Sequence, residues 1–341
     1  MKLLIITQKV DANDDNLGFF HGWIEEFAKN CESVIVICLQ KGEYELPANV
    51  KILSLGKPAS RLKYLFNFYN YIWRERKNYD AVFVHMNPRY VVLGGLFWKF
   101  FSKKIYLWYT HKSVNMDLRI AEWFVFRIFT ASPESCRLKS DKIIITGHGI
   151  DTWKFQIPNS PPTGDLPQGD KFQIITAGRI SPAKNLDVLV KTAEILKNKN
   201  FNFEIEIAGA PIFETDKIYF ERVKKLIREA GLEEKVKFVG AIPYRNISEF
   251  YQNGDLFVNF SDTGSIDKAM LEAMASGLLV LTSNEAFKNI LEKKYVTSKN
   301  PGEIVEKIMA LSRSEFDFGL REYVVKNHSL SGLIIKIISL I

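Results

Sequence analysis

Residues 172–196 read FQIITAGRISPAKNLDVLVKTAEIL. The apolar run 172–177 predicts a buried strand, and the glycine and proline that follow it predict a turn. Beyond the turn, apolar side chains recur at helical spacing, at Leu186, Leu189, Val190, Ala193 and Leu196. One apolar helix face next to a buried strand is the repeating unit of a parallel sheet covered by helices. This stretch therefore predicts an α/β fold.

Outward from this stretch, short apolar runs alternate with amphipathic stretches along most of the chain. Strands are predicted in the N-terminal half at residues 3–7, 33–38, 81–85, 105–109 and 143–146. Strands are predicted in the C-terminal half at residues 172–177, 203–208, 236–239, 256–259 and 278–282. Ligands of such sheets bind beyond the carboxyl ends of the strands, so the loops there are the first place to look for function.

The alternation stops between residues 151 and 170, where prolines and glycines lie in a polar stretch that continues neither a helix nor a central strand. A chain of 341 residues is also longer than one domain with a single hydrophobic core usually is, and its length fits two domains. The prediction is a Rossmann-like domain at 1–150, a linker at 151–170, a second Rossmann-like domain at 171–320 and a helical tail at 321–341. Packing of the tail on the first domain is one option for it.

Composition and charge narrow the class of protein. A content of 47% hydrophobic and 25% charged residues is typical of globular chains. No apolar run approaches the roughly 20 residues of a membrane-spanning helix. The three cysteines lack metal-ligand spacing, which predicts buried thiols in a reducing cytoplasm. A net charge of +7 favours anionic partners, but the dispersed basic residues and the lack of a recognisable motif argue against nucleic acid.

The turn at residues 177–185 has the features of a diphosphate site. Gly178 allows close approach of the backbone, and Arg179 and Lys184 place two cations five residues apart where a strand leads into a helix. Helix N-terminal amides and such cations form charge-assisted hydrogen bonds to phosphate oxygens. The alternative is a solvated basic surface, which the residues alone leave open.

A second stretch, residues 259–277, shows a strand end, a polar loop, a helix and a closing glycine. Asp267 is the predicted N-cap, and Glu272 is predicted to lie in the first turns and point towards the strand ends. The packed face is predicted from Met270, Leu271 and Met274. A carboxylate at position 272 can accept two hydrogen bonds from a vicinal diol such as ribose, while the alternative role is stabilisation of the helix.

Four motifs in this order carry a resemblance to a known family. Gly-Arg-x-Ser-Pro-x-Lys at 178–184 precedes Leu-Glu-Ala-Met-Ala-x-Gly at 271–277, and Thr110-His111 and Gly-His-Gly-Ile-Asp at 147–151 with Phe155 precede both. The chain resembles the retaining glycosyltransferases of the family-four group from Leu3 to about His328. The resemblance implies the GT-B fold, with two Rossmann-like doubly wound domains facing each other across a cleft. It also implies transfer of a sugar from a nucleotide diphosphate sugar to a glycan or lipid-linked acceptor.

The resemblance implies roles for individual residues. Arg179 and Lys184 match the cations that hold the donor diphosphate, and Glu272 matches the glutamate that holds the ribose. His111 matches a histidine that faces the donor sugar and phosphate. Three further positions match residues that line the nucleotide pocket or let the backbone approach the donor: Gly18, Gly209 and Ile242. For His85, at a strand end outside these motifs, a structural role is favoured over a place beside the acceptor cleft.

One position departs from the family pattern. Eight residues before Glu272 the family usually has a second glutamate, which contacts hydroxyls of the donor sugar, and here that residue is Gly264. Two alternatives are open. Asp262 or Asp267 supplies the carboxylate, or the exposed amides of residues 264–268, which include Ser265 and Lys268, bind the sugar.

Neither a metal nor a cofactor is expected, since no Asp-x-Asp pair is convincingly placed and the nucleotide sugar is a substrate. Rival interpretations are a sugar-nucleotide epimerase on the same fold and a non-enzymatic sugar- or nucleotide-binding protein. A dinucleotide oxidoreductase is disfavoured because neither half has a convincing Gly-x-Gly-x-x-Gly turn.

Residues 61–77 predict a helix with two apolar arcs. The larger arc is predicted to face the sheet and consists of Leu62, Leu65, Phe66, Tyr69, Ile72 and Trp73. The opposite arc carries Tyr64, Phe68 and Tyr71, flanked by Lys63, Arg74 and Lys77. Either a neighbouring element covers these aromatics or they dip into an anionic membrane at its cytoplasmic face. The run 98–101 is interpreted as core packing.

Overall fold

The computed structural model describes residues 1–57, 60–157 and 171–341. They form two compact units, Met1–Asp151 with His328–Ile341, and Thr152–Asn327. The division therefore falls after residue 151 and again after residue 327, whereas the sequence placed boundaries at 150, 170 and 320. Residues 158–170 of the predicted linker lie outside the described residues. The cleft between facing domains stays a prediction.

Unit 1 contains a parallel sheet in the strand order β3-β2-β1-β4-β5-β6-β7. Its strands are β1 (Lys2–Val10), β2 (Ser33–Lys41), β3 (Val50–Ser54), β4 (Ala81–His85), β5 (Lys104–Trp108), β6 (Arg127–Thr130) and β7 (Ile143–Ile145). Its helices are α1 (Phe19–Asn30), α2 (Arg61–Arg74), α3 (Pro88–Phe100), α4 (Met116–Phe124) and, after the second unit, α11 (Leu330–Leu340).

Helices cover both faces of this sheet. On one face α1 and α11 pack on β1, with Trp23, Phe27 and Ile334 fully buried. On the other face α2, α3 and α4 contribute Phe68, Trp98 and other side chains to a second core. Burial of both faces explains why the inner strands β1, β2, β4 and β5 contain continuous apolar runs. Among the described residues, no helix combines the length and the apolar character that crossing a bilayer requires.

Unit 2 contains a parallel sheet in the strand order β10-β9-β8-β11-β12. Its strands are β8 (Phe172–Ala177), β9 (Phe203–Ala208), β10 (Val236–Gly240), β11 (Leu256–Asn259) and β12 (Leu279–Thr282). Its helices are α5 (Leu186–Asn198), α6 (Glu214–Glu229), α7 (Ile247–Gln252), α8 (Lys268–Ala275), α9 (Pro301–Leu311) and α10 (Phe318–His328). The direction of winding reverses between β8 and β11, which is the switch point where such sheets bind ligands.

The structure confirms the predicted α/β class and overturns one helix orientation. Every predicted strand is present, while β3 and β6 were missed. In α2 the predicted faces are reversed: Phe68 is buried and Tyr64 and Tyr71 are half-buried against the core, whereas Leu62 is 79% exposed. Most of the arc assigned to the core points away from it, because Phe68 fits between Tyr90 and Trp98.

Candidate functional site

Two loops meet at the switch point of unit 2 and are joined by direct hydrogen bonds. The loop after β8 carries residues 178–185, and the loop after β11 carries residues 260–267. The side-chain amide of Asn185 donates to the Phe260 carbonyl (2.8 Å), and the Asp262 amide donates to the Ala183 carbonyl (2.9 Å). Hydrogen bonds therefore join the two stretches singled out in the sequence, residues 177–185 and 259–277, although about 80 residues separate them.

An ion pair between these loops fixes Lys184. Its Nζ lies 2.6 Å from Oδ2 of Asp267, which also accepts a hydrogen bond from the Asn259 side chain. Burial alone would raise the pKa of Asp267, but Lys184 and Asn259 hold that pKa below its ordinary value. An ammonium group has three donors, so Lys184 remains able to bind an anion while Asp267 orients it.

Arg179 extends towards the start of α6. Its Nε lies 3.7 Å from Oδ2 of Asp216, and its guanidinium lies 5.2 Å from the ring centroid of Phe213. Oδ2 of Asp216 accepts hydrogen bonds from the backbone amides of Ile212 and Phe213. The Arg179 side chain remains 40% exposed, which leaves its outer nitrogens accessible to a ligand.

The strand ends beside these cations are made of closely packed glycine backbone. Gly178 and Gly209 have φ values of +133° and +137°, which only glycine adopts without strain. The Gly178 amide donates a hydrogen bond to the Ala208 carbonyl, and the Gly209 amide donates one to the Gly240 carbonyl.

A single turn of 3-10 helix at Pro182–Lys184 separates β8 from α5, so Lys184 precedes the helix. The Asp187 amide in the first turn of α5 donates to the Tyr219 hydroxyl. At least one amide in the first turn of α5 therefore already has a partner within the protein.

Glu272 is buried on α8 with two partners. Its Oε2 accepts a hydrogen bond from the Tyr251 hydroxyl at 3.0 Å, and its Oε1 pairs with Lys268. Lys268 in turn lies 4.5 Å from the ring centroid of Tyr244. Burial, and then the charge of Glu272, raise the pKa of Tyr251 well above its ordinary value, so Tyr251 acts as a donor. Two carboxylate oxygens offer about four acceptor directions, which leaves capacity for a diol.

The predicted helix α8 is confirmed in detail. Asp267 is its N-cap and accepts a hydrogen bond from the Ala269 amide. Met270, Leu271 and Met274 are fully buried, as the sequence indicated.

At the position where the family usually has a glutamate, Gly264 is buried and left-handed, with a φ of +61°. Both nearby carboxylates have protein partners: Asp267 pairs with Lys184, and Asp262 pairs with Lys299. The carbonyl oxygen of the next residue, Ser265, accepts a hydrogen bond from the side-chain amide of Asn284. Ile242 is half-buried in the loop after β10.

Two predicted residues belong to unit 1. Gly18 is buried and immediately precedes α1, and His111 is exposed in the loop after β5. The Ser113 amide donates to Nδ1 of His111 at 3.1 Å. Because Nδ1 is thereby the acceptor, a neutral His111 carries its proton on Nε2 and can donate from that atom.

His85 is buried, which agrees with the structural role favoured from the sequence. It is 1% exposed, stacks on Phe20 with 3.9 Å between ring centroids, and bonds to the Thr7 hydroxyl. Burial lowers the pKa of His85 to about 3, so the ring is neutral at physiological pH. The three cysteines are free and buried, as predicted.

Sequence reasoning gave no role to several residues that assemble the site. Asn185 bridges the loops and has a left-handed φ of 50°, and Asn259 anchors Asp267. The signals present were an asparagine that ends a strand before a polar loop, Asn259, and an asparagine directly before a helix, Asn185. An asparagine side chain can satisfy loop backbone, and asparagine tolerates left-handed geometry.

Tyr251 gave no local signal, because its partner Glu272 lies 21 positions away. Asp216 did have a local signal, an acidic residue in the first turn of a helix, where it accepts hydrogen bonds from the Ile212 and Phe213 amides.

Comparison with known proteins agrees with this geometry. Residues 164–329 match the family model described as "Glycosyl transferases group 1". An uncharacterized glycosyltransferase of Methanocaldococcus jannaschii is 26% identical over 198 residues, which cover 55% of this chain and 48% of that protein. The amylovoran biosynthesis glycosyltransferase AmsK of Erwinia amylovora is 31% identical over 153 residues, covering 43% and 35%. The chain thus spans about half or less of the length of these relatives.

A solved structure is similar over the whole chain. The Anabaena protein HepE in complex with UDP and glucose aligns with a TM-score of 0.76 at 15% identity, covering 100% of this chain and 99% of that one. This likeness concerns the fold alone. Residues 164–329 thus match the model of the glycosyl transferases group 1 family, and the two parallel-sheet α/β units of the chain have the fold of GT-B glycosyltransferases.

Proposed function

We propose that the protein transfers a sugar from a nucleotide diphosphate sugar to a glycan or lipid-linked acceptor, with retention of anomeric configuration and without a metal. The observation that carries the proposal is the joined pair of loops at the switch point. The loop after β8 carries both Arg179 and Lys184 next to glycine backbone, and Asp267 of the second loop orients Lys184. The UDP and UDP-glucose complexes of the structural neighbour HepE support UDP as the first probe.

In the proposed reaction, the bond between the anomeric carbon and the phosphate oxygen breaks as the acceptor oxygen bonds to that carbon on the same face. The electron pair of the broken bond goes to the diphosphate, whose growing charge Arg179 and Lys184 stabilise more than they stabilise the ground state. The acceptor proton goes to the departing phosphate oxygen. His111 donates from Nε2 and orients the donor without forming a covalent intermediate.

Acceptor-dependent release of nucleoside diphosphate tests this function. The full chain is incubated with UDP-, GDP- and ADP-sugars, with and without a panel of glycan and lipid-linked acceptors, after exhaustive chelation. We expect one donor to release its diphosphate at least tenfold faster when acceptor is present, without added metal. Donor binding with no turnover on any acceptor would favour a binding protein. Recovery only on addition of magnesium or manganese would contradict metal independence.

Replacement of Glu272 tests the ribose role. Glu272→Gln keeps the size of the side chain but weakens the bonds that it accepts from a diol, so we expect roughly tenfold weaker binding of the nucleoside diphosphate in a calorimetric titration. The matched control is Glu229→Gln on α6, where Lys225 and Glu229 form the same i,i+4 ion pair at the surface. Equal affinity of the Glu272 variant and the control would remove Glu272 from the donor site.

A further inference from the structure

The reversal of α2 exposes a large apolar surface on unit 1. Nearly half of the exposed large apolar side chains among the described residues lie between residues 61 and 127, about a fifth of the chain. The most exposed members come from three helices and the loop after α4, and they are Leu62, Phe66, Trp73, Leu96, Phe100, Met116, Trp123 and Phe126. Phe100 was expected in the core and is 82% exposed. We call this surface the α2–α4 face.

The α2–α4 face is one continuous layer. The Tyr69 hydroxyl of α2 donates to the Leu93 carbonyl of α3, and Nζ of Lys99 on α3 donates to the Trp123 carbonyl at the end of α4. Gly95 of α3 lets the Phe124 ring approach, since an added Cβ would lie 2.5 Å from that ring. The helices bury their other sides against the sheet, so the exposed side chains share the outer surface.

Two shallow grooves run between these helices. An apolar groove of about 460 Å³ between α2 and α3 is lined by Phe66, Tyr69, Asn70, Trp73 and Phe97. A groove of about 480 Å³ between α3 and α4 is basic, and its lining includes Lys99, Lys103, Lys104, Arg127 and Lys142. Lys104 and Arg127 both lie within 5 Å of the ring centroid of Phe126, so cations and aromatic rings alternate across this groove.

Charge is concentrated on the same segment. Residues 61–127 contain twelve Lys or Arg and four Asp or Glu, a net charge of +8, whereas the whole chain carries +7. The remainder of the protein is therefore close to neutral. Among the described residues, Lys63, Lys77 and Arg119 form no ion pair, and all three are exposed.

We propose that the α2–α4 face docks on an anionic lipid bilayer. Aromatic and aliphatic side chains can enter the headgroup region while Lys and Arg remain beside the phosphates, which is how interfacial helices bind. A second copy of the chain would bring two such segments, each with a net charge of +8, against each other, which is unfavourable. The bilayer satisfies both features of the face. The proposal assigns membrane binding to this face, and it does not depend on the proposed donor site.

Vesicle sedimentation of the full chain tests the proposal. The vesicles are phosphatidylcholine alone or phosphatidylcholine with about 30% phosphatidylglycerol, at low and at physiological salt. We expect binding to the anionic vesicles that weakens with salt, because the Debye length shrinks to about 8 Å at 0.15 M. The triple variant Phe66→Ser, Phe100→Ser, Trp123→Ser takes one exposed side chain from each helix and should lower the partition coefficient roughly a hundredfold.

Two further variants separate apolar and electrostatic contributions. Lys63→Gln, Lys77→Gln, Arg119→Gln should lower the partition coefficient on anionic vesicles by on the order of a hundredfold, since each basic residue near such a surface contributes about fivefold. The matched control, Ile218→Ser, Phe318→Ser, Ile335→Ser, removes three exposed apolar side chains outside the face and should sediment like the wild type.

Thermal unfolding verifies that each variant is folded, and this measurement does not require a bilayer. A wild type that stays in solution with anionic vesicles at low salt overturns the proposal, as does equal sedimentation of the Phe66 triple variant and the control. A wild-type dimer that this triple variant dissociates would assign the face to a second copy instead. None of these outcomes bears on sugar transfer.

Discussion

Lys184→Ala should lower kcat/KM for sugar transfer by roughly ten- to a hundredfold, once a donor is known. The lost charge-assisted hydrogen bond to the diphosphate corresponds to about 1.5–3 kcal/mol. The loss should appear in kcat as well as in KM, because charge on the leaving diphosphate is greatest in the transition state. Arg179→Ala should behave similarly, while its lack of a short ion pair predicts a smaller effect on the fold.

Since Lys184 also pairs with Asp267, its replacement needs two controls. Lys191→Ala removes an exposed lysine of α5 and should leave kinetics unchanged. Lys184→Ala/Asp267→Asn removes the stranded carboxylate as well, so it should recover stability lost in the single variant but not transfer. Near wild-type turnover in both Arg179→Ala and Lys184→Ala would show that the diphosphate binds elsewhere.

Gly209→Ala should destabilise the protein by about 2–4 kcal/mol, the largest stability effect expected from a single methyl group here. At a φ of +137° alanine is strained, and its Cβ would overlap the carbonyl oxygen of Gly178 and lie 2.9 Å from the carbonyl carbon. The end of β8 would have to move, and with it Arg179. Urea unfolding should show the loss of stability, and thermal unfolding should show a midpoint lower by roughly 5–15 °C.

Gly240 provides the matched control for this change. It also ends a strand with a positive φ, +81°, but an added Cβ meets nothing within 4 Å. Gly240→Ala should therefore cost only about 1 kcal/mol, the strain of the backbone alone. Equal costs for the two alanines would mean that the close approach of Gly209 to Gly178 does not constrain the strand ends.

Strands were predictable from the sequence where burial on both faces imposes a continuous apolar run. The limits of β4, β8 and β11, where nearly every residue is buried, agree with those predicted. The limits of β9 agree as well, although its sequence FEIEIA alternates apolar residues with glutamates. By contrast, β3 is a partly exposed edge strand that reads VKILS, and β6 has only four residues. Neither has enough apolar residues in a row to stand out from a loop.

The orientation of α2 could not be derived from its own residues. Apolar side chains lie on both arcs, and counting them favoured the larger arc. The buried arc is decided by shape, since Phe68 fits between Tyr90 and Trp98 and the Tyr71 hydroxyl bonds to the Ser54 carbonyl. A helix that exposes its more apolar arc conflicts with ordinary burial, which is why the conflict points to function.

The motifs of the candidate site could be predicted from the sequence, but the ion pairs that join them could not. The cations, the N-cap Asp267 and the packed face of α8 follow from local pattern. The pairing of Lys184 with Asp267 joins residues 83 positions apart, and that of Arg179 with Asp216 depends on how α6 begins. Such contacts depend on strand order, which a single sequence does not contain.

Calorimetric titration of the full chain with uridine, UMP and UDP, and likewise with the guanosine and adenosine series, tests the central claim most directly. The account predicts one-to-one binding of one nucleoside diphosphate, without metal, at least a hundredfold tighter than its nucleoside, because most of the contacts at the joined loops are to phosphate. Equal affinity for the nucleoside and its diphosphate, or no binding in any series, would contradict a diphosphate site at Arg179 and Lys184.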